Sequence, residues 1–182
     1  MKRILTFLTL AVVMLALPMS AVYASEPIHV SGTTGFDPTI LTDAYAGAKQ
    51  AGKNVILEVE IVDHWIGTIT GDSDPSKASF VVRNWAGPPG EGGCPHPLGF
   101  CPDTQATAHM KLYFPTATVT VPDGIYTGSL TMELSILATG FELGGHWTIL
   151  YGTDQLKNLH GHGTVTINSG GHSYEGQIHF DP

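Results

Sequence analysis

Tyr126-Thr127-Gly128-Ser129-Leu130-Thr131-Met132-Glu133-Leu134-Ser135-Ile136 is the stretch on which the fold turns. Successive side chains of an extended chain point to opposite faces, so Tyr126, Gly128, Leu130, Met132, Leu134 and Ile136 share one face and Thr127, Ser129, Thr131, Glu133 and Ser135 the other. That is the signature of a half-buried β-strand. Downstream, Gly140 bends the chain, and Phe141, Leu143, Gly145, Trp147, Ile149 and Tyr151 form a second inward set. A glycine-framed turn follows over Gly152 to Thr164, in which Thr153 or Asp154 can cap a short helical segment. Its Leu156 and Leu159, three apart, are placed to plug one end of a core. Alternation resumes with Val165 and Ile167, turns at Asn168-Ser169-Gly170-Gly171, and ends with Tyr174, Gly176, Ile178 and Phe180.

Upstream, Pro122-Asp123-Gly124 reads as a hairpin turn. Before it, Ala106, Ala108, Met110, Leu112 and Phe114 alternate with polar residues, and Ala117, Val119 and Val121 continue the pattern. From Asn54, Val55, Leu57, Val59, Ile61, Asp63, Trp65, Gly67 and Ile69 fall on one face of a long strand. Ile56, Val62 and Ile66, on the other face, suggest cover by a helix or by another subunit, which leaves a homo-oligomer open. The polar loop from Gly71 to Ser76 leads to a strand near Ser79 to Trp85; its Asp72 and Asp74 lack the other ligands and the glycine of a calcium loop. Near the start, Ile28-His29-Val30 is a short strand. Asp37-Pro38 then opens a helix over residues 38–51, with Ile40, Leu41, Ala44, Ala48 and Ala51 on one side and Gly52 as its stop. The expected fold is all-β: a closed antiparallel β-barrel of about eight strands with one short N-terminal α-helix, a two-sheet sandwich being the alternative.

Met1-Lys2-Arg3, the apolar run Ile4 to Leu17, Pro18 and the small residues of Val22-Tyr23-Ala24 together read as a secretory signal over residues 1–24. Cleavage there leaves residues 25–182 as a single domain, exported to a periplasmic or extracellular compartment, with no later run long enough to span a membrane. Losing Lys2 and Arg3 leaves 6 basic residues against 16 acidic, a net charge of −10 with histidine neutral. Such a surface repels phosphate backbones and anionic lipids, which argues against nucleic acid and peripheral membrane binding. The two cysteines, Cys94 and Cys101, lie in a loop over residues 87–103 that holds five prolines and five glycines. In an oxidising compartment they are expected to form a disulfide that stiffens this loop.

The run Trp147-x-x-x-Tyr151-Gly152-Thr153-x-x-Leu156-x-x-Leu159-x-Gly161-x-Gly163-Thr164, followed by Tyr174-x-Gly176, resembles a bacterial family of unknown function, similar in fold to allene oxide cyclase and dirigent barrels. Ile56-Leu57-Glu58-Val59 and Ile66-Gly67-Thr68-Ile69-Thr70-Gly71 resemble that family's first long strand. The resemblance covers most of Asn54 to Phe180 and departs from the pattern at Asp154, where the family often has glycine. It implies a calycin-like barrel whose interior can hold an apolar molecule. It implies no reaction, because a fold does not carry a function.

Candidate chemistry is sparse. His160-Gly161-His162 has a spacing that puts two imidazoles on one strand face, but His109, His146, His162 and His179 fall on the outer parity, so solvated histidines are the simpler reading and no metal is assigned. Asp63 shares the inward face of Val59, Ile61 and Trp65, where a carboxylate has a raised pKa unless a bulge turns it outward or Arg83 pairs with it. Trp65, Tyr126, Trp147, Tyr151 and Tyr174 are the aromatics expected to line the same cavity, with Arg83 as the candidate partner. There is no dinucleotide fingerprint, serine elbow or His-Glu-x-x-His, and no cofactor is expected. The primary expectation is therefore a secreted barrel binding a small apolar or aromatic molecule. A cyclase or isomerase of a hydrophobic substrate and a cell-surface assembly protein are the alternatives.

Overall fold

A computed structural model describes residues 26–36, 49–87, 99–168 and 171–182. In chain order the strands are β1 (Ile28–Phe36), β2 (Lys49–Ala51), β3 (Asn54–Ile61), β4 (Asp63–Gly67), β5 (Ile69–Asp72), β6 (Ser76–Arg83), β7 (Gln105–Val121), β8 (Gly124–Thr139), β9 (Glu142–Gly152), β10 (Leu159–Asn168) and β11 (Gly171–Phe180). A 3-10 turn, Asp154–Leu156, joins β9 to β10.

Every pairing is antiparallel, and the ring runs β7, β5, β4, β1, β11, β10, β9, β8 and back to β7. β3 prolongs β4 and β6 prolongs β5, each across a short break, so eight strand positions close the barrel. The sandwich alternative falls with that closure. β1 lies between β4 and β11, pairing Phe36 with Asp63 at one end and Ile28 with Ile178 at the other.

The expected long strand from Asn54 is interrupted at Val62 and reverses at Thr68. Ser73 ties the first break down: its hydroxyl accepts from the Asp63 backbone N–H at 2.9 Å and its own N–H donates to the Asp63 carbonyl at 2.8 Å. The segment from Gln105 to Val121 is one strand of 17 residues with a register shift between Phe114 and Ala117. The chain keeps its pairing with β8 through the bulge, so the proline at 115 bends the strand without ending it.

The helix expected over residues 38–51 falls partly outside the described residues, which exclude 37–48. Its last three residues are strand: Lys49, Gln50 and Ala51 pair with Ile56, Val55 and Asn54. β1 reaches only as far as Asp63 on this edge, so the backbone groups of β3 need another partner, and β2 supplies it. Gly52, read as a helix stop, has φ 64° in the tight turn between β2 and β3, a conformation that serves either role.

The two ends of the barrel are built differently. At one end Leu156 and Leu159 are buried, as expected of a plug, and Trp65, Phe114, Trp147 and Tyr174 pack edge-on or stacked above them, with the Trp65 and Tyr174 rings 4.3 Å apart. The β8–β9 turn and residues 99–104 lie at the other end. There the Gly140 N–H donates to the Thr104 carbonyl, and Phe100 is buried against Phe80.

Candidate functional site

The interior is filled unevenly. Around the aromatic cluster, Phe114, Leu130, Met132, Trp147 and Ile178 are wholly buried. Towards the loop end, Ile61, Met110, Leu134, Ile136, Leu143 and Val165 also point inward but keep 3–8 % exposure. They line a cavity completed by Thr34, Gly35, Val59, Asp63, Phe80 and Ile167. Its open volume is about 30 Å³, enough for a few water molecules at most and far below the roughly 300–1,000 Å³ typical of ligand pockets.

Asp63 is the one carboxylate on this wall. Strand parity carries it inward with Ile61 and Trp65, and it is buried despite its charge. Thr34, its neighbour on β1, donates its hydroxyl to Asp63 Oδ1 at 2.7 Å. Loss of hydration pushes the Asp63 pKa up to about 6, against the opposing effects of the Thr34 hydrogen bond, the nearby His64 and the Trp65 indole. Neither escape foreseen for this residue occurs. The irregularity at Val62 leaves Asp63 inside, and Arg83 is exposed at the outer end of β6, across from Asn54 and Gln105.

The other candidates part company. Trp65 adjoins Asp63, and its buried Nε1 has no hydrogen-bond partner. Trp147 belongs to the solid cluster, its Nε1 donating to the Glu175 carbonyl at 3.2 Å. Tyr174 has its hydroxyl committed to β5: it accepts from the Ile69 N–H at 2.7 Å and donates to the Ile69 carbonyl at 2.8 Å. Burial raises its pKa to about 12. Tyr126 sits at the plugged end, its ring tilted against Phe180 with centroids 4.7 Å apart and its hydroxyl bonded to Asp123. Among the described residues no tyrosine hydroxyl therefore meets Asp63.

Thr34 was not among the expected site residues, although Val30, Gly32 and Thr34 share a parity that could have revealed it. Cys94 lies outside the described residues, and the bridge to Cys101 is an expectation still. His109, His146, His160 and His162 are exposed and His179 half-buried. His160 and His179 stack with centroids 5.5 Å apart, both facing Asp181 at 3.3 and 3.4 Å. Among the described residues no group of three or more His, Cys, Asp or Glu is arranged to hold a metal ion.

No family model and no curated protein matches this chain. Among solved structures, a protein of unknown function of the DUF3224 family from Shewanella oneidensis MR-1 is similar, with a TM-score of 0.49 and 15% identity over 86% of this chain and 99% of that one.

Proposed function

We propose that this is an exported barrel that binds a small, largely apolar molecule at its loop end. The supporting observation is Asp63, a carboxylate buried in the wall of a largely apolar cavity, where His64, itself paired with Asp72, is the one basic neighbour among the described residues that favours its charge. An ion so placed weakens the fold, and such groups concentrate where a protein binds or reacts. The plugged end contributes rigidity; the loop end, where interior side chains remain slightly exposed, is the side that can admit a guest. Because the open space is small, binding requires Met110 and its aliphatic neighbours to move, and methionine is the side chain that does so at least cost. The Cys94–Cys101 bridge belongs to the same reading, as a clamp on the loop that carries Phe100.

Chain purified from its own export route and examined by native mass spectrometry should carry a small-molecule adduct, or should melt higher when saturated with benzene or a naphthalene probe. Absence of both would overturn this reading. It would favour a structural role at the cell surface, the second reading, which the small volume of the cavity supports. A cyclase or isomerase receives less support, since among the described residues no second acid or base faces Asp63 in the cavity.

A further inference from the structure

The outer face of the barrel carries a second hollow, larger than the interior one. Tyr113 and Thr116 on β7, Ser129 on β8, and Thr153, Asp154 and Gln155 at the 3-10 turn line an open groove of about 560 Å³, within the roughly 300–1,000 Å³ of ligand pockets. Tyr113 is 42% exposed, an aromatic ring left in water at one side of the groove. The polar walls are fixed before any ligand arrives. Gln155 Oε1 accepts from the Thr127 N–H at 2.9 Å and from the Thr127 hydroxyl at 3.2 Å, which holds the amide in place; among the described residues no hydrogen bond engages its two Nε2 donors. Thr153 gives no side-chain cap to the turn it precedes. Its hydroxyl accepts from the Ser129 N–H at 3.1 Å and gives its one proton to Asp154 Oδ2 at 2.9 Å, so at the 3.0 Å contact between the two hydroxyls Ser129 is the donor. Ser129 therefore keeps acceptor lone pairs, and Asp154 keeps Oδ1. Asp154 holds its place at φ 52°, in the left-handed region that glycine occupies without strain.

We infer that this groove binds a neutral saccharide, with the C–H face of a sugar ring on Tyr113 and neighbouring hydroxyls on Asp154 and Gln155. A vicinal diol donates and accepts at adjacent atoms, which matches an amide donor beside a carboxylate acceptor. Asp154 is the one charged side chain in the lining, so acidic sugars and phosphates meet like charge there. A simple cation would use Tyr113 and Asp154 and leave the amide unanswered. An extended peptide finds no strand edge, because β7 and β8 are paired to each other and to further strands on their other sides. Tyr151, expected inside, is turned outward by the register shift at Thr131 and Met132 and is 59% exposed. It stands two strands from Tyr113 across Thr131, about 10 Å along the sheet, which gives a second ring for a chain of sugars. The groove lies outside the barrel, and its role does not depend on the interior binding reading.

Titration calorimetry of the purified protein at pH 7 with cellohexaose, maltohexaose, hexagalacturonate and choline tests this. At least one neutral hexaose should bind about tenfold or more tighter than hexagalacturonate and choline. Tyr113→Ala should weaken that binding about tenfold, and Gln155→Ala about threefold or more. Asp154→Gly relieves the strained backbone, so it should leave the urea midpoint equal or higher while weakening the hexaose about fivefold, a split that a merely structural Asp154 would not give. If Tyr113→Ala does not fold, Asp154→Gly decides. Binding of neither hexaose, affinity unchanged in the folded variants, or binding of choline or hexagalacturonate as tight as that of the hexaoses would each overturn the assignment.

Discussion

At Asp63, burial turns an ordinary carboxylate into a liability that depends on pH. Its proton leaves near 3.8 in the unfolded chain and near 6 in the barrel, so between those values the folded state holds the proton more tightly. Stability is lost as the pH rises through that window, by roughly 3 kcal/mol when complete. Asp63→Asn keeps an oxygen for the Thr34 hydroxyl and has no charge to bury. The variant should exceed the native protein in urea unfolding by about 1–3 kcal/mol at pH 7 and lose most of that excess at pH 4. An unchanged difference at the two pH values would show that desolvation does not govern this residue. A second test lies elsewhere on the cavity wall. Met110→Ala should cost about 2–4 kcal/mol and tighten the binding of benzene-sized guests, read by melting with and without ligand.

Strand by strand, the fold depends on close backbone approaches as much as on apolar area. The Trp147 ring lies over Gly163 and Gly176, which pair across β10 and β11; a side chain at Gly163 would collide with the ring and with the Glu175 carbonyl. Gly163→Ala should therefore lose about 1–3 kcal/mol or more, whereas Gly144→Ala, where only the Val165 carbonyl lies near, should change little. Leu156→Ala, which removes the plug from the 3-10 turn, should cost about 2–5 kcal/mol. Chemical denaturation of the three variants separates these outcomes.

The strands were readable because one face of each is buried, and alternation records burial directly. The polar loop at residues 73–75 was readable too, but the break at Val62 was not, since Ile61 and Asp63 keep the same parity across it. Parity also placed Asp63 inside, and the inward run Ala78, Phe80 and Val82 already put Arg83 outside. It could not give height along the barrel. Trp147, Tyr174 and Asp63 all point inward, yet the first two lie within or near the plug while the third faces open space. The short β2 escaped because its cause, an unpaired edge of β3, exists only once the barrel is assembled.

For the whole molecule, the contrast between a sealed and a loose end locates where covalent reinforcement would matter. Phe100 packs on Phe80, and Phe80 lines the cavity, so stiffening the loop at Cys101 steadies the cavity wall. Intact mass under non-reducing conditions should be two hydrogens lighter than after reduction, and reduction should lower stability by about 2.5 kcal/mol. Two free thiols in the protein purified without reductant would remove the clamp from the proposal.

The place of β1, between β4 and β11, has a consequence in time. Strands β7 to β11 meet their sequence neighbours through short turns and can form as they emerge, but Ile28 must wait for Ile178. The ring therefore cannot shut until the last strand has been delivered, and a chain crossing a membrane amino end first would hold two unpaired edges open for the whole passage. Contacts of that sequence separation make for slow closure. The interval before β1 docks is when such a chain most needs protection from its own copies.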